Sequence, residues 1–280
     1  MFLAPETIHL EILQQYPIAF HVFKVTTLND EMYMICREQN IVVYNSNNMA
    51  EGKYVVVPQS TFAVDIAACN ASNCVYVLGL SAECFSVLRI TKDEDHQFSI
   101  SPWLNGLSLP FSTISVSANG GLIILSGSEG QNPAGVSVYD PNGNLLHKMI
   151  LWPGILGFRC RENIIQKPNG NLVLVTLNSE SDTELMEINA TGSIEHQCRS
   201  SLRVQSGVHF ADISGRFVIT EQDNRIRLLD SELNLLDFTF PHLNGSLLNF
   251  SSERNEIVSI LSVGNNHSVL TIFRFTEDVL

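Results

Sequence analysis

The chain has 280 residues, of which 45% are hydrophobic and 16% are charged, a composition that supports a large buried core and is not that of a disordered protein. The formal net charge of −13 would be repelled by phosphate backbones, so nucleic acid is not expected as a partner. The apolar runs are of strand length, and no membrane-spanning segment is predicted. The N-terminus lacks a basic start and a long apolar stretch, so we expect a cytoplasmic protein, or an extracellular one if this chain is part of a secreted precursor.

One pattern recurs six times along the chain: an apolar strand, a turn rich in Gly, Asn, Asp or Ser, and a second apolar strand. The copies span residues 25–34, 66–77, 114–124, 164–175, 208–219 and 248–258. Each copy is predicted to be a β-hairpin, because such turns match the twist of antiparallel strands. The turns are 40 to 50 residues apart, the period of the four-stranded blades of a β-propeller.

Two further strands are predicted to follow each hairpin. Third strands fit residues 135–140, 184–189 and 225–230, and each runs into a polar turn before a fourth strand such as 145–151 or 235–240. We therefore predict an all-β fold, a six-bladed β-propeller with four-stranded antiparallel blades, forming one domain over residues 1–280. The predicted blades are roughly residues 17–58, 59–104, 110–153, 158–202, 203–241, and 242–280 together with 4–16.

The last blade has no fourth strand of its own, because the chain ends after the strand at residues 269–275. A strand at residues 7–13 precedes the first hairpin. We predict that this N-terminal strand pairs with residues 269–275 and completes the sixth blade, since an unpaired sheet edge promotes aggregation.

The six cysteines show neither a CxxC pair nor the spacing of a zinc site. Buried free thiols are the expected state. A disulfide among Cys69, Cys74 and Cys84, which are close in sequence, is left open.

The fifth copy has a strand at residues 207–212 that ends in Asp212, a Gly215 turn, a second strand, and Asn224-Arg225-Ile226 leading into a third. With these features it resembles the NHL repeat. The third copy is similar in a looser way. The resemblance implies a six-bladed ring and no single activity, because NHL-like propellers include protein-binding, RNA-binding and enzymatic members.

Ligands of a propeller are expected at the mouth of the central channel, which the first strand of each blade would line. Polar residues at or near the starts of those strands are the candidate ligand-binding residues: Asp65, Arg161, Asn163, His209 and Asn249. Asp65, Asn163 and Asn249 resemble in residue type the set that holds calcium in lactonase-like six-bladed hydrolases, and oxygen donors suit calcium. The alternative is that these residues simply line a wet channel.

Two functional hypotheses follow. The chain has no nucleophile elbow and no phosphate-binding loop, so the first is a non-catalytic scaffold without a cofactor that binds a protein or peptide. The second is a calcium-dependent hydrolase or lactonase with its site in the channel.

Overall fold

A computed structural model describes residues 8–36, 40–45, 48–58, 61–82, 84–107, 111–126, 135–151, 164–177, 183–199, 204–211, 216–221, 226–236, 246–251, 256–263 and 267–277. The elements of these ranges are antiparallel strands joined by turns. No helix that could cross a membrane occurs among them.

The chain divides into two compact units, Val22–Arg203 and Met1–His21 with Val204–Leu280. The first unit contains four sheets, each of four strands in chain order. The first blade is β2 (Val22–Leu28), β3 (Glu31–Cys36), β4 (Ile41–Asn45) and β5 (Asn48–Val55). The second blade is β6 (Phe62–Cys69), β7 (Cys74–Leu80), β8 (Phe85–Lys92) and β9 (Phe98–Leu107).

The third and fourth blades repeat this arrangement. The third is β10 (Phe111–Val116), β11 (Leu122–Ser126), β12 (Gly135–Tyr139) and β13 (Leu145–Ile150). The fourth is β14 (Ile164–Gln166), β15 (Leu172–Leu177), β16 (Thr183–Ile188) and β17 (Ile194–Arg199). The first strands of consecutive blades are neighbours, with β2 beside β6, β6 beside β10 and β10 beside β14, as expected if the first strand is innermost.

The second unit contains two sheets. One has β18 (Val204–Ala211), β19 (Arg216–Glu221) and β20 (Ile226–Leu229). The other combines β21 (Ser246–Ser251), β22 (Glu256–Val263) and β23 (His267–Glu277) with β1 (Ile8–Ile18), in the order β1-β23-β22-β21. The prediction that the N-terminal strand completes the last blade is therefore confirmed.

The fold is all-β, with antiparallel four-stranded blades in a propeller arrangement, and the described residues form five complete four-stranded blades rather than the six predicted. Five sheets have four strands, and the sheet of β18–β20 has three among the described residues. The fourth strand predicted at residues 235–240 is represented by one isolated bridge, Leu229 to Leu235. Residues 237–245 lie outside the described part of the chain.

The core consists of layers between neighbouring blades. Alternate residues of β7 face opposite ways: Val75 and Val77 pack with the first blade, whereas Tyr76 and Leu78 pack with the third. All four side chains are fully buried. A strand buried on both faces has no polar side, and for this reason the second strands are continuous apolar runs in the sequence.

Four turns between a third and a fourth strand share one hydrogen-bonding pattern. Asp93, Asp140, Asn189 and Asp230 begin these turns, and the side-chain oxygen of each accepts a hydrogen bond from the backbone N–H four residues later, at 2.7–3.0 Å. The residue three positions on has a left-handed backbone in every case: His96, Gly143, Gly192 and Leu233. The side chain that begins each turn therefore provides a hydrogen-bond acceptor for a backbone N–H group of the same turn.

We predict that removal of residues 1–15 abolishes cooperative unfolding, because it strips most of β1 from β23 and leaves that strand as an open edge. Urea unfolding followed by circular dichroism measures the effect. Ile12→Ala is the control, since Ile12 lies on β1 and is 56% exposed. A truncated chain as stable as the full chain would show that β1 is dispensable.

Candidate functional site

Asp65 joins the first strands of three blades. It lies on β6 and is 3% exposed. Its Oδ2 accepts hydrogen bonds from the Thr113 hydroxyl at 2.6 Å and the Ile114 backbone N–H at 2.9 Å, both on β10. Its Oδ1 lies 3.8 Å from the Lys24 ammonium on β2. The carboxylate thus has partners in both neighbouring blades, an arrangement that suits a structural role.

A register shift explains why these side chains meet. The pairing of the first two strands shifts immediately before Lys24 in β2, before Asp65 in β6 and before Thr113 in β10. The same shift precedes Asn249 in β21. Such bulges change the direction in which a side chain points, and in the first unit they accompany the contacts of Asp65 with Lys24 and Thr113.

The other predicted channel residues are described less completely. Arg161 and Asn163 lie outside the described residues. His209 pairs with Val218 and Asn249 with Val258 in the second unit, and only their backbones are described. The calcium set of Asp65, Asn163 and Asn249 therefore stays a prediction. Across the described ranges, no group of three or more His, Cys, Asp or Glu side chains could hold a metal ion.

The four cysteines whose side chains the structure describes are free thiols. Cys36, Cys69 and Cys74 are buried, and Cys84 is half-buried. Cys69 and Cys74 are direct partners across the β6–β7 hairpin. Burial raises the pKa of the Cys74 thiol above its usual value, and the positive charge of Arg89 acts in the opposite direction.

A cavity of about 380 Å³ opens between the turn ends of the first and second blades. We call it the blade 1–2 groove. The β2–β3 turn supplies Asn29, Asp30 and Glu31 to its lining, and the turn after β8 supplies Asp93 and His96. All of these except Glu31, which is half-buried, are exposed. The groove is therefore polar, accessible and built from two blades.

Buried and amide side chains complete the lining. Leu28 and Ile90 are buried and contribute apolar surface. Asn45 and Asn73 add exposed amides. The amide nitrogen of Asn29 donates to the Oδ1 of Asn73 at 2.9 Å, and this contact links the hairpin turns of the two blades.

An ion pair makes a second link across the groove. The ammonium of Lys92, on β8, lies 2.6 Å from Oε1 of Glu31, on β3, and 5.7 Å from the ring centre of Phe98. The Tyr33 hydroxyl donates to the other Glu31 oxygen at 2.9 Å. Burial, with the neighbouring carboxylate of Glu31, raises the pKa of Tyr33 above its usual value, so this hydroxyl remains a donor. Each carboxylate oxygen of Glu31 therefore has a partner, one in Lys92 and the other in Tyr33.

Several residues that line the groove have a left-handed backbone conformation. Within the described ranges four non-glycine residues have positive φ, and three of them line this cavity: Asn29 at 54°, Asn73 at 44° and His96 at 61°. Asparagine adopts this conformation readily, whereas most side chains are strained by about 1–2 kcal/mol. The third and fourth blades have glycine where the second has His96. The second blade thus has a histidine at a turn position where glycine would be free of backbone strain.

The sequence pattern indicated ligand-binding residues in the channel and none in the groove. The acidic stretch of residues 93–95 and Asn29-Asp30-Glu31 were visible as polar turns. Their proximity depends on the stacking of two blades, which turn composition does not reveal.

Comparison with known proteins shows the fold. No protein-family model matches the chain, and no curated protein matches its sequence. The PQQ-bound aldose sugar dehydrogenase from Streptomyces coelicolor superposes with a TM-score of 0.70 at 13% identity, covering 97% of this chain and 99% of that one. A protein of unknown function from Bacteroides caccae gives 0.59 at 14% identity, with 87% and 82% covered. The Dos1 propeller gives 0.54 at 11% identity, with 88% and 76% covered.

These likenesses support a β-propeller and nothing finer, because all three identities are far below the level that carries activity. The resemblance to NHL repeats is not confirmed by them and stays a prediction.

Asp65→Ala is predicted to destabilise the fold by roughly 2–4 kcal/mol, because it leaves the buried Thr113 hydroxyl and Ile114 N–H without their acceptor. Equilibrium urea unfolding measures the change. Asp95→Ala removes an exposed carboxylate and serves as the control, with an expected change below about 0.5 kcal/mol. Equal effects of the two substitutions would contradict the structural role of Asp65.

His96→Gly is predicted to stabilise the fold by about 0.5–1 kcal/mol, because glycine adopts the left-handed backbone without strain. Gly143→Ala, at the equivalent turn position, is the reciprocal variant and should destabilise by about 1 kcal/mol, since its Cβ has room and only the backbone is strained. Thermal unfolding of both variants measures these effects. If His96→Gly destabilises the protein, the imidazole makes stabilising contacts that outweigh the strain.

Proposed function

We propose that this chain is a non-catalytic interaction module that binds a protein or peptide, and that the blade 1–2 groove is its binding site. The observation that carries the proposal is the groove itself: an accessible cavity of about 380 Å³ whose walls come from two different blades. Binding cavities for small groups commonly measure about 300–1,000 Å³. This groove accommodates one or two side chains of an extended peptide.

The groove is preorganised. Asn29 is hydrogen-bonded to Asn73, and Glu31 forms an ion pair with Lys92. Both walls are therefore held by contacts between the blades. A partner that enters a preorganised cavity loses less free energy to the ordering of the receptor. The turn that carries Asp93 is held in the same way by its own hydrogen bonds.

The described lining lacks the nucleophile of a serine, threonine or cysteine hydrolase. Among its described residues none is a serine, threonine or cysteine, and covalent catalysis of that kind requires such a residue beside a base. The amides and carboxylates present here instead provide hydrogen-bond donors and acceptors.

The calcium-dependent hydrolase remains the alternative. It would use Asp65 as a ligand, yet Oδ2 of Asp65 already accepts two hydrogen bonds from β10. Coordination through that oxygen would break both of them. The likeness to a sugar dehydrogenase is one of fold and does not favour either activity.

Peptide selection tests the proposal. Peptides selected from a random displayed library on the full chain should bind it in fluorescence polarisation. They should lose binding to Asn45→Trp, which fills the groove from the end of β4. His147→Trp places the same bulk on an exposed position of β13 and should leave binding unchanged.

Two results would overturn the interaction-module proposal. One is the absence of any peptide whose binding distinguishes these two variants. The other is a rise in melting temperature with calcium that EDTA reverses, because a ligand stabilises the native state that binds it.

A further inference from the structure

We propose, on the basis of the interaction function above, that the blade 1–2 groove binds a basic side chain of its partner, an arginine or a lysine. The groove supplies carboxylate acceptors at its mouth and apolar surface below them. These are the two features that a long cationic side chain requires.

The charges of the lining give the first argument. Asp30, Glu31 and Asp93 contribute three carboxylates, and Lys92 contributes one ammonium. Lys92 is paired with Glu31 at 2.6 Å. Counting histidine as neutral, the described lining residues therefore have a formal charge of −2, and two of the carboxylates, those of Asp30 and Asp93, are on exposed side chains. The chain as a whole has a charge of −13, so its longer-range field also attracts cations.

The position of the carboxylates gives the second argument. Asp30 comes from the β2–β3 turn of the first blade and Asp93 from the turn after β8 in the second. A group placed between the blades therefore has a carboxylate on each side. A guanidinium carries donors on two edges of its plane and an ammonium carries three donors, so both can bond to two acceptors at once.

The chain contains an example of the proposed contact. The Lys92 ammonium of the second blade lies against the Glu31 carboxylate of the first blade and over the Phe98 ring. Below the carboxylates, Leu28 and Ile90 provide apolar surface that suits the aliphatic stem of an arginine or lysine.

A metal ion fits the groove less well than an organic cation. Among the described residues, His, Cys, Asp and Glu side chains nowhere converge in groups of three or more. A side chain with a long stem uses both the carboxylates and the apolar surface of the cavity, whereas a metal ion uses the carboxylates alone.

Labelled heptapeptides with glycine at alternate positions test the inference by fluorescence polarisation at physiological salt. The remaining positions are arginine, lysine, glutamine or glutamate. We expect the arginine or the lysine peptide to bind, and the glutamine and glutamate peptides to bind at least tenfold more weakly. Asp30→Asn and Asp93→Asn should each weaken binding of the basic peptide about tenfold. Asp93→Asn should keep the turn intact, because Asn189 accepts the equivalent hydrogen bond in the fourth blade.

Glu94→Gln is the matched control. Glu94 is exposed, lies in the same turn as Asp93 and is not part of the groove lining. The Glu94→Gln substitution changes the net charge by the same amount as Asp93→Asn, and it should change the affinity for the basic peptide by less than about twofold. An equal loss in Glu94→Gln and Asp93→Asn would overturn the inference, because it would show diffuse attraction to an acidic surface.

The outcomes separate this inference from the function on which it rests. If library-selected peptides bind in the groove without a basic residue, or the glutamine peptide binds as tightly as the basic ones, the basic-side-chain inference is wrong and the interaction function stands. If no peptide binding depends on the groove, both are wrong. Melting temperatures of all variants within a few degrees of the parent chain show that the affinity changes do not arise from unfolding.

Discussion

Burial of both faces of the second and third blades is the constraint on which the rest of the first unit depends. Val75 and Val77 on β7 belong to the apolar layer shared with the first blade, and Tyr76 and Leu78 to the layer shared with the third. On β11, Ile123 faces the layer shared with the fourth blade. Full burial of one large apolar side chain contributes about 1.5–3 kcal/mol. These layers therefore outweigh any single polar contact in the unit.

Polar residues occupy the places that these layers leave. Asp65 connects three first strands by hydrogen bonds and an ion pair, and the turns satisfy their own backbone groups through an Asp or Asn at their start. Where two blades stack, their turns extend beyond the apolar layer, and the space between the turns is lined by whatever side chains those turns carry. Between the first and second blades these are mainly carboxylates and amides, together with one imidazole, and the result is the groove.

The sequence alone predicted the repeated hairpins, but it did not predict the groove. Hairpins are local, so apolar strands around residues 120 and 170 predicted them correctly, and the missing last strand predicted the pairing of β1 with β23. Of the fourth strand expected at residues 235–240, only residues 235 and 236 are described, and Leu235 forms a bridge with Leu229. Asp65 was recognised as an inner-strand residue, but its partners Lys24 and Thr113 are distant in sequence and meet it through equivalent bulges. The contact between Asn29 and Asn73 likewise depends on stacking, for which a single sequence carries no signal.

Amide hydrogen exchange with and without a selected peptide shows whether the first two blades form the binding site. A binding site in the groove predicts slower exchange on peptide binding at residues 28–31 and 93–97, in two turns that line the groove, and unchanged exchange in the turns at residues 140–144 and 189–193. Protection confined to other strands or turns, with the groove turns unaffected, would contradict it.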